Sequence, residues 1–149
     1  MEKRIEGSGK MEREGETFAK FLSPSEEHAT LVGLSGELGS GKTTFVKGVA
    51  RAFGVTQTVT SPTFVIEKIY KLERQPFEYL VHTDAYRLES GEELSALGFN
   101  DLLSDPGNII LIEWPEHVRS VLPPDIKVLH FVFINDSTRA IKKSGYGKD

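Results

Sequence analysis

Gly36-Glu-Leu-Gly-Ser-Gly-Lys42-Thr43 matches the pattern G-x-x-x-x-G-K-[ST] in full. Its surroundings are those the pattern needs. Thr30 to Leu34 is an apolar run of strand length, and from Thr43 onward Phe45, Val49 and Phe53 recur at helical spacing until Gly54 stops them. A strand, a glycine-rich loop and a helix in that order let successive backbone N–H groups turn inward around an anion, with the helix dipole adding to the attraction. The expected cradle comprises Gly36, Leu38, Gly39, Ser40, Gly41, Lys42, Thr43 and Thr44. Lys42 would reach the terminal phosphates of a nucleoside triphosphate, and the Thr43 hydroxyl would ligate magnesium. A glycine-rich strand-to-helix turn without a ligand is the competing reading, and motif plus context weigh against it.

Outward from the loop, 149 residues suffice for one compact domain with a real core and are too few for two ordinary ones, so residues 1–149 are expected to form one domain. The 38% hydrophobic and 27% charged residues fit a globular protein, and no apolar run approaches the roughly 20 residues of a spanning helix. The first ten residues lack the apolar segment of a secretory signal, and the chain has no cysteine for disulfides or thiolate metal sites. A cytoplasmic protein with no membrane association is expected. A net charge of −4 offers no overall attraction to a phosphate backbone, so any nucleic acid should be reached through a partner. Lys142, Lys143 and Lys148 read as a basic tail, either a solvated terminus or a binding arm.

The remaining elements follow from periodicity and breakers. Residues 1–10 and 142–149 are expected to be frayed, and 11–22 to form a short amphipathic helix. Phe64 to Tyr70 and Phe77 to Thr83, joined by a polar turn at Glu73–Pro76, predict an antiparallel hairpin. Ser90-Gly-Glu-Glu93 starts a helix that Gly98 interrupts, and Asp105-Pro-Gly107 turns into a buried strand, Asn108 to Glu113. A short helix follows Pro115. After Pro123-Pro124, Ile126 to Ile134 is a strand, and the Asn135–Ser137 turn leads into a last antiparallel strand through Ile141. The predicted fold is a three-layer α/β P-loop domain with a mostly parallel central sheet and antiparallel additions from the hairpin and the C-terminal strands.

Nucleotide hydrolases of this kind hold magnesium with a second acid at the end of a neighbouring strand. Ile109-Ile-Leu-Ile112 followed by Glu113 has that shape, with glutamate in place of the usual aspartate; the alternative is a strand-end acid salt-bridged to a neighbour. In His82-Thr-Asp84-Ala-Tyr-Arg87, alternation puts His82 and Asp84 on one face. Magnesium prefers oxygen ligands, so Asp84 is read as orienting or deprotonating the attacking water, and His82 as a structural hydrogen-bonding residue. Arg87 could neutralise charge on the transferred phosphoryl group or form a surface ion pair. Ser61-Pro-Thr-Phe64 occupies the place where switch segments present a hydroxyl to metal and γ-phosphate. Thr63 is therefore counted with the catalytic groups and Ser61 with those sensing the nucleotide state, although an ordinary capped loop fits equally. Alternation turns Trp114 away from the face that carries Glu113, which leaves core packing open as its role.

Four motifs in order, within Gly36–Thr44, Ser61–Phe64, His82–Leu88 and Ile112–Pro115, resemble those of the TsaE family of small bacterial P-loop ATPases, and the resemblance extends over roughly residues 11–141. It implies an ATP- and magnesium-dependent ATPase that works with the TsaD and TsaB proteins in making threonylcarbamoyladenosine in tRNAs that read codons beginning with A. In that family the protein does not carry out the transfer itself; its nucleotide cycle supports turnover of the TsaD–TsaB complex, and tRNA is met only through that complex. By the resemblance Lys42 and Thr43 serve phosphates and magnesium, Glu113 is the second magnesium ligand, Asp84 supports hydrolysis, and Trp114 lies near the nucleotide with a role toward the partner. One departure is at the start, where a threonine near the adenosine in the family falls on Met11 here if Gly15 is the shared glycine.

Two other readings remain at this level. A small-molecule kinase would use Asp84 as base for a substrate hydroxyl and Arg87 to hold the acceptor, but no segment after the P-loop helix is long enough for the lid that shields phosphoryl transfer from water. A nucleotide-gated binding module would bind ATP without hydrolysing it.

Overall fold

The computed structural model describes residues 2–60, 66–124 and 126–145. Its frame is one seven-stranded sheet in the order β1-β7-β6-β2-β5-β4-β3. The strands are β1 (Glu2–Glu6), β2 (Thr30–Ser35), β3 (Glu67–Lys71), β4 (Tyr79–Asp84), β5 (Asn108–Glu113), β6 (Lys127–Asn135) and β7 (Thr138–Gly145). β6, β2, β5 and β4 are mutually parallel, while β3 lies antiparallel on β4, β7 on β6 and β1 on β7. The helices are α1 (Gly7–Lys20), α2 (Lys42–Ala52), α3 (Gly91–Ala96) and α4 (Phe99–Leu103), and Pro115–Val121 is a 3-10 helix.

The apolar runs explain the layering. All six residues of β5 are buried, as a strand paired on both edges and covered on both faces requires. Alternation sends Ile109 and Leu111 to one face, with Val32, Leu34 and Leu80, against Met11 of α1 and Phe45 and Val49 of α2. Ile110 and Ile112 go to the other face, with Val81 and Val128, against Leu94, Phe99 and Val118. This is the three-layer arrangement expected.

Helices α1 and α2 cross backbone to backbone. A Cβ at Gly48 would lie 1.9 Å from the Glu12 carbonyl oxygen, and one at Gly15 would lie 2.1 Å from that of Phe45. The glycines cost some helix propensity and in return admit a contact no side chain would allow. Arg51 reinforces the crossing by pairing with Glu12 and Glu16.

The ends of the chain depart from expectation. Residues 2–6, read as frayed, form β1 in register with β7, and α1 begins at Gly7 rather than at residue 11. Lys142 and Lys143 are not in a tail: they lie inside β7, which runs to Gly145, with Lys142 opposite Glu2. β6, expected as an antiparallel addition, is a parallel neighbour of β2, so the antiparallel edge begins one strand later. Each difference comes from pairing between segments far apart in the chain, β1 with β7 and β2 with β6, which leaves no local pattern to read. Among the described residues, no helix is long and apolar enough to cross a membrane.

Candidate functional site

The site lies where three parallel strands end side by side. β2 feeds the Gly36–Gly41 loop and α2, β5 ends at Glu113, and β4 ends at Asp84, which is in register with Glu113. A cleft of about 550 Å³ opens there, lined on this side by Leu38, Gly39, Gly41, Lys42, Thr43, Thr44, Asp84 and Glu113. Of the predicted set, Leu38, Gly39, Gly41, Thr43 and Thr44, both carboxylates and the lysine meet at one place, while Gly36 and Ser40 do not line the cleft. Ser61 and Thr63 lie outside the described residues. Arg87 is exposed and does not line the cleft.

The loop adopts the geometry its glycines permit. Gly41 caps α2 in the left-handed region at φ 103°, and a Cβ there would lie 2.8 Å from the Met11 methyl. Gly36, at φ 145°, passes so close to β6 that a Cβ would lie 2.5 Å from the Phe131 carbonyl oxygen. Leu38 is 72% exposed at the loop's tip.

Lys42 is only 5% exposed, and its ammonium donates to the Gly36 carbonyl. It stands 3.9 Å from Glu113 Oε1 and 4.3 Å from the centre of the Trp114 ring. Desolvation by burial lowers its pKa below the ordinary 10.5, and the negative charges of Glu113, Asp84 and Glu116 oppose that shift. Glu113 Oε2 lies 2.6 Å from His82 Nε2, beneath the cleft. Asp84 Oδ1 accepts the Tyr86 N–H at 2.9 Å, which turns the chain immediately after β4.

Trp114 packs, partly buried, against the core cluster on the sheet face of Ile110 and Ile112, away from the face that carries Glu113, as alternation predicts. The chain leaves the strand at this residue in a left-handed conformation, φ 58° and ψ 50°, with its N–H bonded to Leu34 O at 3.1 Å. From there the indole also reaches Lys42, whose Nζ lies over the ring. Tyr86 and His117 pack on it, each with ring centres 5.2 Å away, and His117 Nδ1 donates to the Ala85 carbonyl.

The opposite wall of the cleft was not anticipated. It is made by Gly7, Ser8 and Met11 at the start of α1 and by Asp136, Ser137 and Arg139 of the β6–β7 hairpin. Gly7 N bonds to Ser137 O at 2.8 Å, and Arg139 Nε donates to Gly39 O at 2.8 Å, tying the hairpin to the phosphate loop. The only signal in the sequence was Met11, through its alignment with a family threonine.

Known proteins with this organisation are similar along most of the chain. The protein-family model described as "Threonylcarbamoyl adenosine biosynthesis protein TsaE" matches residues 8–141. A "tRNA threonylcarbamoyladenosine biosynthesis protein TsaE" from Rickettsia typhi is 36% identical over 138 residues, covering 91% of this chain and 92% of that protein. The Bacillus subtilis protein of the same description is 34% identical over 134 residues, or 90% of this chain and 81% of that one. In three dimensions the chain is similar to the crystal structure of Bacillus subtilis YdiB, with a TM-score of 0.77 and 27% identity over 99% of this chain and 86% of that one.

Proposed function

The chain belongs to the TsaE family, and from that membership we propose that it is a magnesium-dependent ATPase acting with TsaD and TsaB in the formation of threonylcarbamoyladenosine in tRNA. In this reading it supports turnover of the TsaD–TsaB complex and meets tRNA only through it. The observation that carries the ATPase assignment is the convergence of Lys42, Asp84 and Glu113, each at most 5% exposed, at the mouth of a phosphate loop.

The donor set suits magnesium bound together with a nucleotide. Thr43 and Glu113 offer hard oxygens, and among the described residues no group of three or more His, Cys, Asp or Glu could hold a metal ion alone. Magnesium characteristically takes one or two protein ligands and completes its shell with phosphate and water. When bound, it would neutralise charge on the phosphates.

The chain's own groups do the rest. The inward N–H groups of the Gly36–Gly41 loop and the start of α2 hold the phosphate chain. Lys42 turns from the Gly36 carbonyl to the terminal phosphates, where its partly dehydrated charge acts more strongly than in water. Asp84, oriented by the Tyr86 N–H, positions the attacking water. The nucleoside takes the opposite end of the cleft, beside Gly7, Ser8 and Ser137. Lys42 leaving the Trp114 ring changes the surroundings of the Tyr86–Trp114–His117 cluster, and this links nucleotide state to an aromatic surface a partner can read.

Capture of TsaD and TsaB by the tagged protein with and without ATP, together with phosphate release, tests both halves. Slow hydrolysis alone and ATP-dependent capture are expected. Equal capture in both conditions, or hydrolysis undiminished in Lys42→Ala, would remove the reading, and a phosphorylated metabolite would replace it with a kinase.

A further inference from the structure

We propose that His82 is a positioning residue that holds the Glu113 carboxylate in the orientation needed for a magnesium–nucleotide complex; this rests on the reading of Glu113 as the magnesium-handling acid. The two oxygens of Glu113 have different surroundings. Oε2 accepts from His82 Nε2 at 2.6 Å, while Oε1 faces Lys42 Nζ at 3.9 Å. The imidazole bond thus spends one oxygen on the protein interior and leaves the other directed to the cleft.

Three observations make this more than packing. His82 is completely buried, on the sheet face where Leu80 and Leu111 are its apolar neighbours, so a leucine would fill the position without polar atoms. Among the described residues its Nδ1 has no hydrogen-bond partner, a cost that a side chain serving only to pack would avoid. The bond is also diagonal: Glu113 is in register with Asp84, and His82 reaches it from two residues deeper in β4. A glutamate at this strand end has one more free torsion than an aspartate, and a donor below it removes that freedom. Partners that orient a ligating carboxylate typically contribute about 10–100-fold to metal affinity.

Gln and Asn separate the bond from the packing. The side-chain nitrogen of Gln falls where imidazole Nε2 lies and can still donate to Glu113; that of Asn falls where Nδ1 lies and cannot. The experiment is a magnesium titration of the binding of a fluorescent ATP analogue to the intact chain, with metal-free binding and thermal melting measured alongside. In His82→Leu and His82→Asn the half-saturating magnesium concentration should rise about tenfold or more, with metal-free binding within about twofold of the parent, whereas His82→Gln should stay within about threefold. Equal behaviour of the Gln and Asn variants, or an unchanged magnesium requirement in His82→Leu, would overturn the proposal, and the Gln–Asn comparison stands even if the Leu variant does not fold. Glu113→Gln distinguishes the two levels. If it leaves the magnesium requirement unchanged, the reading of Glu113 fails and His82 with it; if it raises the requirement and the His82 variants do not, only the role of His82 is overturned.

Discussion

The two walls of the cleft are built differently. On the parallel side, Asp84 and Glu113 project from the ends of adjacent strands and Lys42 from the first position of α2, and all three are almost wholly buried. On the antiparallel side, Asp136 and Ser137 are exposed, and the wall is held by bonds to backbone carbonyls, Gly7 to Ser137 and Arg139 to Gly39. Buried charges in a fixed frame are suited to stabilising charge that develops during reaction, because little reorganisation is needed at that moment. An exposed wall tied through backbone contacts is suited to holding a ligand. Substitutions on the first wall should therefore reduce turnover, and those on the second should weaken binding with turnover retained.

The largest effect should come from Lys42→Ala, which removes the buried ammonium of that wall. ATP hydrolysis measured by phosphate release is expected to fall about a hundredfold or more, and a fall of only a fewfold would break the comparison at once. Next is the joint between the walls. Gly48→Ala puts a methyl against the Glu12 carbonyl, forcing α1 away from α2, and urea unfolding should record a loss of about 1–3 kcal/mol. An unchanged midpoint would mean that the helices part freely.

Arg139→Ala tests the exposed wall. It removes charge-assisted bonds to Gly39 and Asn135, so affinity for a fluorescent ATP analogue should fall by about three- to tenfold while the rate at saturation stays near the parent's. A selective loss of the saturated rate would move Arg139 to the catalytic wall.

The smallest effect is a pH trend. Burial lowers the Lys42 pKa in the folded protein, so between that lowered value and 10.5 the unfolded chain binds more protons than the folded one, and stability from this group rises with pH. Nucleotide-free Lys42→Met should therefore be most stabilised relative to the parent near neutral pH, with the difference shrinking as pH approaches 10.5. A difference that widens instead would contradict desolvation as the dominant cause.

Elements legible in the sequence were those whose signal lies within a few residues. The phosphate loop, the β3–β4 hairpin and the buried strand ending in Glu113 each carry their own period and breakers. β1 carried almost none: Glu-Lys-Arg-Ile-Glu has one buried side chain, Ile5, and its pairing partner lies at the other end of the chain. Alternation held at Trp114, which packs on the face of Ile110 and Ile112, but its left-handed turn and the contact of its ring with Lys42 carry no period in the sequence.

By itself, then, the sequence determined the glycine-rich strand-to-helix loop, the order of strands and helices along the chain and the acids at the strand ends, because backbone torsion preferences and side-chain period are local. Only the tertiary structure decided which groups face one another. Whether Glu113 meets His82, whether Trp114 covers Lys42 and whether residues 7 and 137 close the far wall depend on strand register and on a single left-handed residue. Those contacts join parts of the chain whose separation leaves no period to read.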